Sequence, residues 1–510
     1  MQNTNRIAIA CLLLSLTGCG ADEAPQDAPR AGSAGMAASG TGGVGGGGTA
    51  GGAGTAGTGG GSGSGAGTGS GSGGGGVGGS ASGSAGFSGS GSGGGGTGGA
   101  GAGGAGAGTG GVGGAGTGAG AGTGGSGGGS VNGARYPFPV NERLSRCVYP
   151  AAPDHEDARR AYQRWKDEIV TADGAGGHLR VKRPNSPGSE TNSTVSEGIA
   201  YGMMIAVAMD DRTLFDELWK YSQLWLNGNQ LMHWYINAAG TQVLGTGGAT
   251  DSDEDIAWAL VMADRQWGGQ GSLDDTYLNL AKRQIQAVWD HEIDHSQGDF
   301  LLAGDEWGGN LVFNASYFAP NEYRVFAEVS GNDGWNRVID TGYRILAASL
   351  NQASGNQDNG LAPAWCDIDG NPKVPFDGGP TNYQYDSARV PFRIGLDYCL
   401  NGEPRAAAYL AKISGFFSDV GAANIVDGYD LNGSEHPDPD SDPNGPQSAV
   451  FVGSAAVGAM HDAIFQTLVN EGYELVATGE LLARSRYYNL SWTTLTLLTL
   501  TGNLVEYPAP

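Results

Sequence analysis

Three short acidic segments in this 510-residue chain carry the residue types that could do chemistry. In Thr194-Val-Ser-Glu197-Gly-Ile-Ala-Tyr201-Gly, a Glu follows a Thr by three residues. In Gly248-Ala-Thr250-Asp251-Ser-Asp253-Glu254-Asp255-Ile-Ala-Trp258, four carboxylates fall within five residues. In Tyr385-Asp386-Ser-Ala-Arg389-Val-Pro-Phe-Arg393-Ile-Gly-Leu-Asp397, an Asp precedes an amphipathic pattern with two Arg one turn apart. Carboxylates here can cap helices or act as general acids and bases. Capping suits the first segment, with Thr194 as cap and Glu197 reaching back. It leaves Gly198 and Gly202 unexplained, because each costs about 1 kcal/mol against Ala inside a helix. Two such glycines on one face imply a close approach to the backbone. In the second segment Asp251 can cap with Glu254 at the third position, but one cap needs one carboxylate and the others repel it.

The elements that must position these groups read as helices. Apolar residues recur at three- and four-residue intervals near 201–208, 214–225, 256–267 and 278–288, then 336–352, 387–400, 404–417, 447–470, 477–484 and 490–502. That predicts about ten to twelve helices and few alternating strands. The connections are long and rich in Asp, Asn, Gly and Pro, as at 351–381 and 427–446. An all-α closed array with its site in the loops is expected.

Residues 32–134 have no charged side chain, no Pro and almost no apolar bulk, and hold more than half of the 96 Gly. Such a tract cannot offset its chain entropy by burial, and without a strict Gly-X-Y period it is not collagen. The chain has 27 Lys+Arg against 52 Asp+Glu, net −25. An acidic folded region argues against nucleic acid and anionic substrates, and suits a neutral or cationic ligand. All 11 Trp lie after the tract, and aromatic faces are what sugars pack on.

The apolar run 7–16 is too short to span a bilayer and reads as a signal-peptide core. It ends in Leu16-Thr17-Gly18-Cys19, which resembles a bacterial lipobox. The expected organisation is a leader at 1–18, a lipidated Cys19 with a disordered linker at 19–134, and one domain at 135–510. Gly20 after Cys19 favours outer-membrane or cell-surface sorting, with the linker a tether of roughly 50–60 Å mean span. Of the other cysteines, Cys147, Cys366 and Cys399 allow at most one disulfide, its pairing left open.

The three acidic segments, in this order, resemble glycoside hydrolase family 8. The family signature corresponds to Ala249-Thr250-Asp251-Ser252-Asp253-Glu254-Asp255-Ile256-Ala257, with Ser252 in place of Ala or Gly. Asn314-Ala-Ser-Tyr317-Phe-Ala-Pro320 with Tyr323-Arg324 is similar to a second family segment, with Ala315 in place of Pro. Arg486-Tyr487-Tyr488-Asn489 is similar to a third. The resemblance spans about 140–508 and implies an (α/α)6 barrel and an inverting, endo-acting hydrolase of β-1,4-glucan. It implies Glu197 as general acid, Asp386 as general base, and Asp251 holding the sugar at the cleavage point. Tyr385 and Arg389 would position the base and its water. Trp234, Trp307, Tyr317, Tyr487 and Tyr488 would supply sugar platforms, whereas Trp219, Trp258, Trp267 and Trp492 fit helical core positions. A helix N-terminus favours an ionised carboxylate, so Glu197 needs burial or the Asp251 charge to serve as acid.

The same family includes xylanases, chitosanases and lichenases, and the 385–397 motif resembles its cellulase branch. The acidic balance alone would suit chitosan, a polycation. A non-catalytic, surface-displayed carbohydrate-binding lipoprotein would keep the aromatic residues but not need Glu197 with Asp386. Asp440-Ser-Asp442-Pro-Asn444-Gly445 matches the first half of a calcium loop, but Phe451 stands where the final Glu belongs, so a solvated acidic loop is expected. The reading is a monomer with no metal and no cofactor.

Overall fold

The computed structural model describes residues 133–185, 189–307, 311–374, 381–439, 446–482 and 485–509. The leader, Cys19, the Gly-rich tract up to residue 132 and the 440–445 loop lie outside the described residues. Among the described residues thirteen α-helices run in chain order: α1 His155–Ile169, α2 Ser196–Ala208, α3 Arg212–Gln223, α4 Thr250–Gln266, α5 Tyr277–His291, α6 Pro320–Ser330 and α7 Trp335–Ser349. Then come α8 Tyr385–Ala388, α9 Val390–Asn401, α10 Pro404–Val420, α11 Ala449–Ala459, α12 Gln466–Ala477 and α13 Arg486–Leu500. The four-residue α8 leads straight into α9. Pro391 has no N–H for the carbonyl of Ser387, so the run breaks at Arg389.

Helices α2, α4, α6, α9, α11 and α13 each pack on the next, and α13 returns to α2. Helices α3, α5, α7, α10, α12 and α1 back them from outside, one to each. This is an (α/α)6 barrel. Its two rings have different sequences for a physical reason. Outer α1 buries only Ala158, Tyr162, Trp165 and Ile169, a stripe on one face. Inner α2 and α11 bury every residue, so small and apolar side chains surround their whole circumference. Trp219, Trp258, Trp267 and Trp492 are all buried in the core.

The helix periodicity holds for most elements, with three differences. The stretch 447–470 divides into α11, a 3-10 turn at Ala463–Phe465 and the start of α12. The helix expected at 477–484 is absent from its described residues 478–482: α12 ends at Ala477, and Gly479 takes a left-handed φ of +70°. Helices α1 and α6 were not anticipated. α6 opens on Pro320 and buries Asn321 and Glu322, which hides its pattern.

Small antiparallel sheets of two- and three-residue strands shape the loops. Thr194–Val195 pairs with Tyr235–Ile236, which pairs with Val243–Gly245, and this sheet runs directly into α2. Val312–Asn314 pairs with Trp365–Asp367.

Cys147 and Cys399 form a disulfide that joins the segment before α1 to α9, 252 residues apart. Cys366 is free and buried, and burial pushes its thiol pKa up. Replacing both bridged cysteines by Ser is expected to cost about 2–5 kcal/mol, read from denaturant unfolding. Unchanged stability would show that the bridge contributes nothing to the fold.

Candidate active site

Glu197 is the second residue of α2, and its side chain turns inward instead of capping. Thr194 makes no cap either: its hydroxyl donates to the Val181 carbonyl and accepts from Arg180. Glu197 is 5% exposed. Its Oε1 accepts from Arg389 Nη1 at 2.6 Å and from the Tyr201 hydroxyl at 2.8 Å, and its Oε2 accepts from the Tyr487 hydroxyl at 2.8 Å. Gly198 makes the last contact possible. A Cβ there would lie 3.0 Å from the Tyr487 ring, which is the close approach the glycines implied. Gly202 likewise admits Leu218 against the helix.

Asp251 is the second residue of α4, not its cap, and Asp386 lies in the first turn of α8. Both are almost fully buried. Asp251 Oδ2 accepts from Arg389 Nη1 at 2.7 Å, and Asp386 Oδ1 lies 3.7 Å from Arg389 Nη2. One buried guanidinium therefore touches three carboxylates brought together by three helix N-termini. Contact through one guanidinium keeps the Glu197 and Asp386 carboxylate oxygens no farther apart than the ~9.5 Å upper limit of an inverting pair.

Burial pushes the Asp386 pKa up to about 6 against the pull of Arg389 and a 2.9 Å hydrogen bond from Gln384 Nε2. Burial also raises Asp251, again opposed by Arg389. A general base must be ionised, so kcat/KM should rise with pH through about 6. Neutral Asp386 favours the folded state below its usual 3.8, and that contribution is lost as pH rises through about 6. An acidic limb centred near pH 4 in the pH–rate profile would contradict this assignment.

The four carboxylates of α4 divide among different partners. Asp251 and Asp255, one turn apart, meet Arg389 and Arg393, also one turn apart, across the barrel interior. Arg393 is bidentate on Asp255 and also donates to Glu322 at 2.8 Å. Glu254 accepts from Tyr323, and Asp253 from Gln284. Of the four, Asp251 is the one that joins Glu197 and Asp386 at Arg389.

A model of the "Glycosyl hydrolases family 8" matches residues 137–502. The chain belongs to this family. It is 37% identical over 362 residues to Endoglucanase A of Acetivibrio thermocellus, covering 68% of this chain and 69% of the relative. It is 35% identical to Endoglucanase 2 of Ruminiclostridium josui, covering 72% of this chain and 76% of the relative. Among solved structures it is similar to a β-1,3-1,4-glucanase from Paenibacillus sp. X4, with TM-score 0.62, 27% identity, and coverage of 72% of this chain and 98% of that one.

In this family 8 chain the expected sugar platforms fall into two groups. Half-buried Trp307 meets Trp365 edge to face, Trp365 meets Tyr317, and the Tyr317 ring lies 5.3 Å from the Arg389 guanidinium. These rings make an aromatic row leading to the carboxylates. Trp234 stacks on Tyr235 and packs under Gly245, with 5% exposure. The other group does different work. Tyr487 is buried and holds Glu197, as described. Tyr488 is buried against Tyr201, Tyr385 and Trp492, and its hydroxyl donates to the Tyr385 carbonyl at 3.4 Å. Neither presents an open face, because α13 carries both into the barrel wall. The Tyr385 hydroxyl donates to Asp427 at 2.8 Å.

Sequence reading missed Tyr201 and Tyr487 as partners of Glu197, Gln384 as a partner of Asp386, and Trp365 in the aromatic row. The i,i+4 spacing of Glu197 and Tyr201 was a usable signal. Trp365 had none, since a two-stranded pairing with 312–314 places it.

Proposed function

We propose that the protein is an inverting endo-β-1,4-glucanase. The observation that carries this reading is the buried cluster in which Arg389 ties Glu197, Asp386 and Asp251 together beside an aromatic row. Relatives named endoglucanases support glucan as the polymer. A proton on Glu197 belongs on Oε2: Oε1 faces Arg389, which cannot accept a hydrogen bond, whereas the Tyr487 hydroxyl on Oε2 can turn from donor to acceptor. Glu197 then gives that proton to the leaving glycosidic oxygen. Asp386 takes a proton from water attacking the opposite face of the sugar, so the product anomer is inverted. Asp251, held by Arg389, is placed to bind the hydroxyls of the sugar being cleaved.

Reducing-sugar release from carboxymethylcellulose, lichenan, xylan and chitosan, with viscosity followed in parallel, tests this function. Fast release from the glucans with an early viscosity drop is expected. No release from any of the four would sink it. Lichenan is a competing substrate with an observation behind it, the similarity to a β-1,3-1,4-glucanase structure.

The proposal extends to placement. The lipobox supports lipidation of Cys19 and display from the outer membrane or cell surface, with residues 32–134 as tether. An insoluble polymer cannot diffuse to an enzyme, so reach from the membrane would help. Cys19→Ser should move the protein from the detergent phase to the aqueous phase on Triton X-114 partition; an unchanged distribution would remove the anchor.

A further inference from the structure

Between α3 and α5, on the outer ring, lies a cavity of about 320 Å³ that the catalytic cluster does not use. This is at the lower end of the ~300–1,000 Å³ of small-molecule sites. Its apolar part comes from Trp219, Leu226, Leu280 and Ala287. The polar part is dominated by amides.

Two of these amides are oriented by what they bind on the other side. Gln284, 6% exposed, donates its Nε2 to buried Asp253 at 3.1 Å. Asn229 donates its Nδ2 to Asp305 at 2.9 Å. A carboxylate takes the NH₂ end of an amide, so the carbonyl oxygens are left for the cavity these residues line. Neither oxygen receives a hydrogen bond from the described residues. The cavity thus has two fixed acceptors. Gln230 adds a further amide, Gln223 and Gln286 donate to Ser222 and Asp290, Arg283 is paired with Asp275, and His291 completes the polar lining.

Two acceptors, further amides and an indole are the recognition chemistry of a neutral polyol. A phosphate or carboxylate would meet the acceptors unfavourably, and a purely apolar ligand would leave them unpaired. From this we infer a second saccharide-binding site between α3 and α5, holding one or two sugar units of the polymer that the active site cleaves. The inference rests on the glucanase reading for the identity of the sugar. The same Asp305 accepts from the Gly248 N–H at 2.7 Å, and Trp307 donates to the Gly248 carbonyl at 2.7 Å. The second site and the Trp307 end of the aromatic row therefore share one anchor.

Affinity electrophoresis of the full chain through gels containing soluble β-glucan tests the site. Glu197→Gln is included in every sample to stop digestion of the gel. Ala287→Trp fills the cavity, and Gln223→Ala with Gln230→Ala removes exposed amides without touching the core. Two sites on one chain grip one polymer with avidity, so either variant should raise the apparent Kd at least about tenfold. With Glu197 restored, both variants should keep kcat/KM on a short soluble cello-oligosaccharide within about twofold, separating loss of the site from unfolding. Parental retention in both variants overturns the site. If the parent enzyme cleaves no glucan, the hydrolase reading fails instead, and the retention of the variants still decides whether saccharide binds here.

Discussion

Glu197→Gln will lower kcat on β-glucan by about 10²–10⁴-fold, the usual contribution of a general acid. Gln fills the same space, and its oxygen can still accept from Arg389 and Tyr201. Its NH₂ group can meet the Tyr487 oxygen, because a hydroxyl accepts as well as donates. The variant should therefore fold and bind polymer as the parent does, so KM should change little. The lost item is the proton for the leaving oxygen. An aryl glycoside, whose leaving group needs less protonation, should suffer a smaller loss than cellulose. A drop below about tenfold on the polymer would reject Glu197 as the acid.

Arg389→Leu has the largest expected effect on the fold. The Arg389 side chain is fully buried and lies against Glu197, Asp251 and Asp386. Removing one partner of a buried ion pair costs about 3–5 kcal/mol, because the remaining charge is left uncompensated. Three carboxylates share the consequence, and they can relieve it only by taking up protons. Arg389 opposes the rise of both Asp386 and Asp251, so its loss moves both pKa values up. The destabilisation should accordingly be larger at pH 8 than at pH 5, and residual activity should need a higher pH than the parent. Arg389→Lys keeps one positive charge and should recover stability better than rate, since an ammonium lacks the fork that touches acid and base at once. Urea unfolding at the two pH values reads the effect. Parental stability at both would mean that the guanidinium does not hold the cluster.

Much of this was legible in the sequence, and the legible parts share a cause. Outer helices such as α3 and α5 expose one face, so their apolar spacing shows through. Inner helices such as α2 and α11 are buried all round, and periodicity cannot mark which face meets which neighbour. The repelling carboxylates of 251–255 were visible as a problem, but their solution was not. Asp251 and Asp255 are answered by Arg389 at the α8–α9 break and Arg393 on α9, which is not the neighbour of α4 in the ring, and only the closed barrel brings them together. The glycines of α2 gave a sound hint of close approach without saying that Tyr487 makes it. Tyr487 and Tyr488 show the converse. Their residue type suited sugar stacking, yet α13 turns both inward, where one holds Glu197 and the other packs.

The stereochemistry of the first product tests the central claim, a Glu197 acid and an Asp386 base acting on opposite faces of one sugar. Proton NMR of a cello-oligosaccharide during the first minutes of hydrolysis, before mutarotation, resolves the two anomeric protons. The proposed acid–base pair predicts that the α-anomer forms first and the β-anomer grows in later at the rate of mutarotation. Initial accumulation of the β-anomer would mean retention through a covalent intermediate, and Asp386 could not then be the base that activates water.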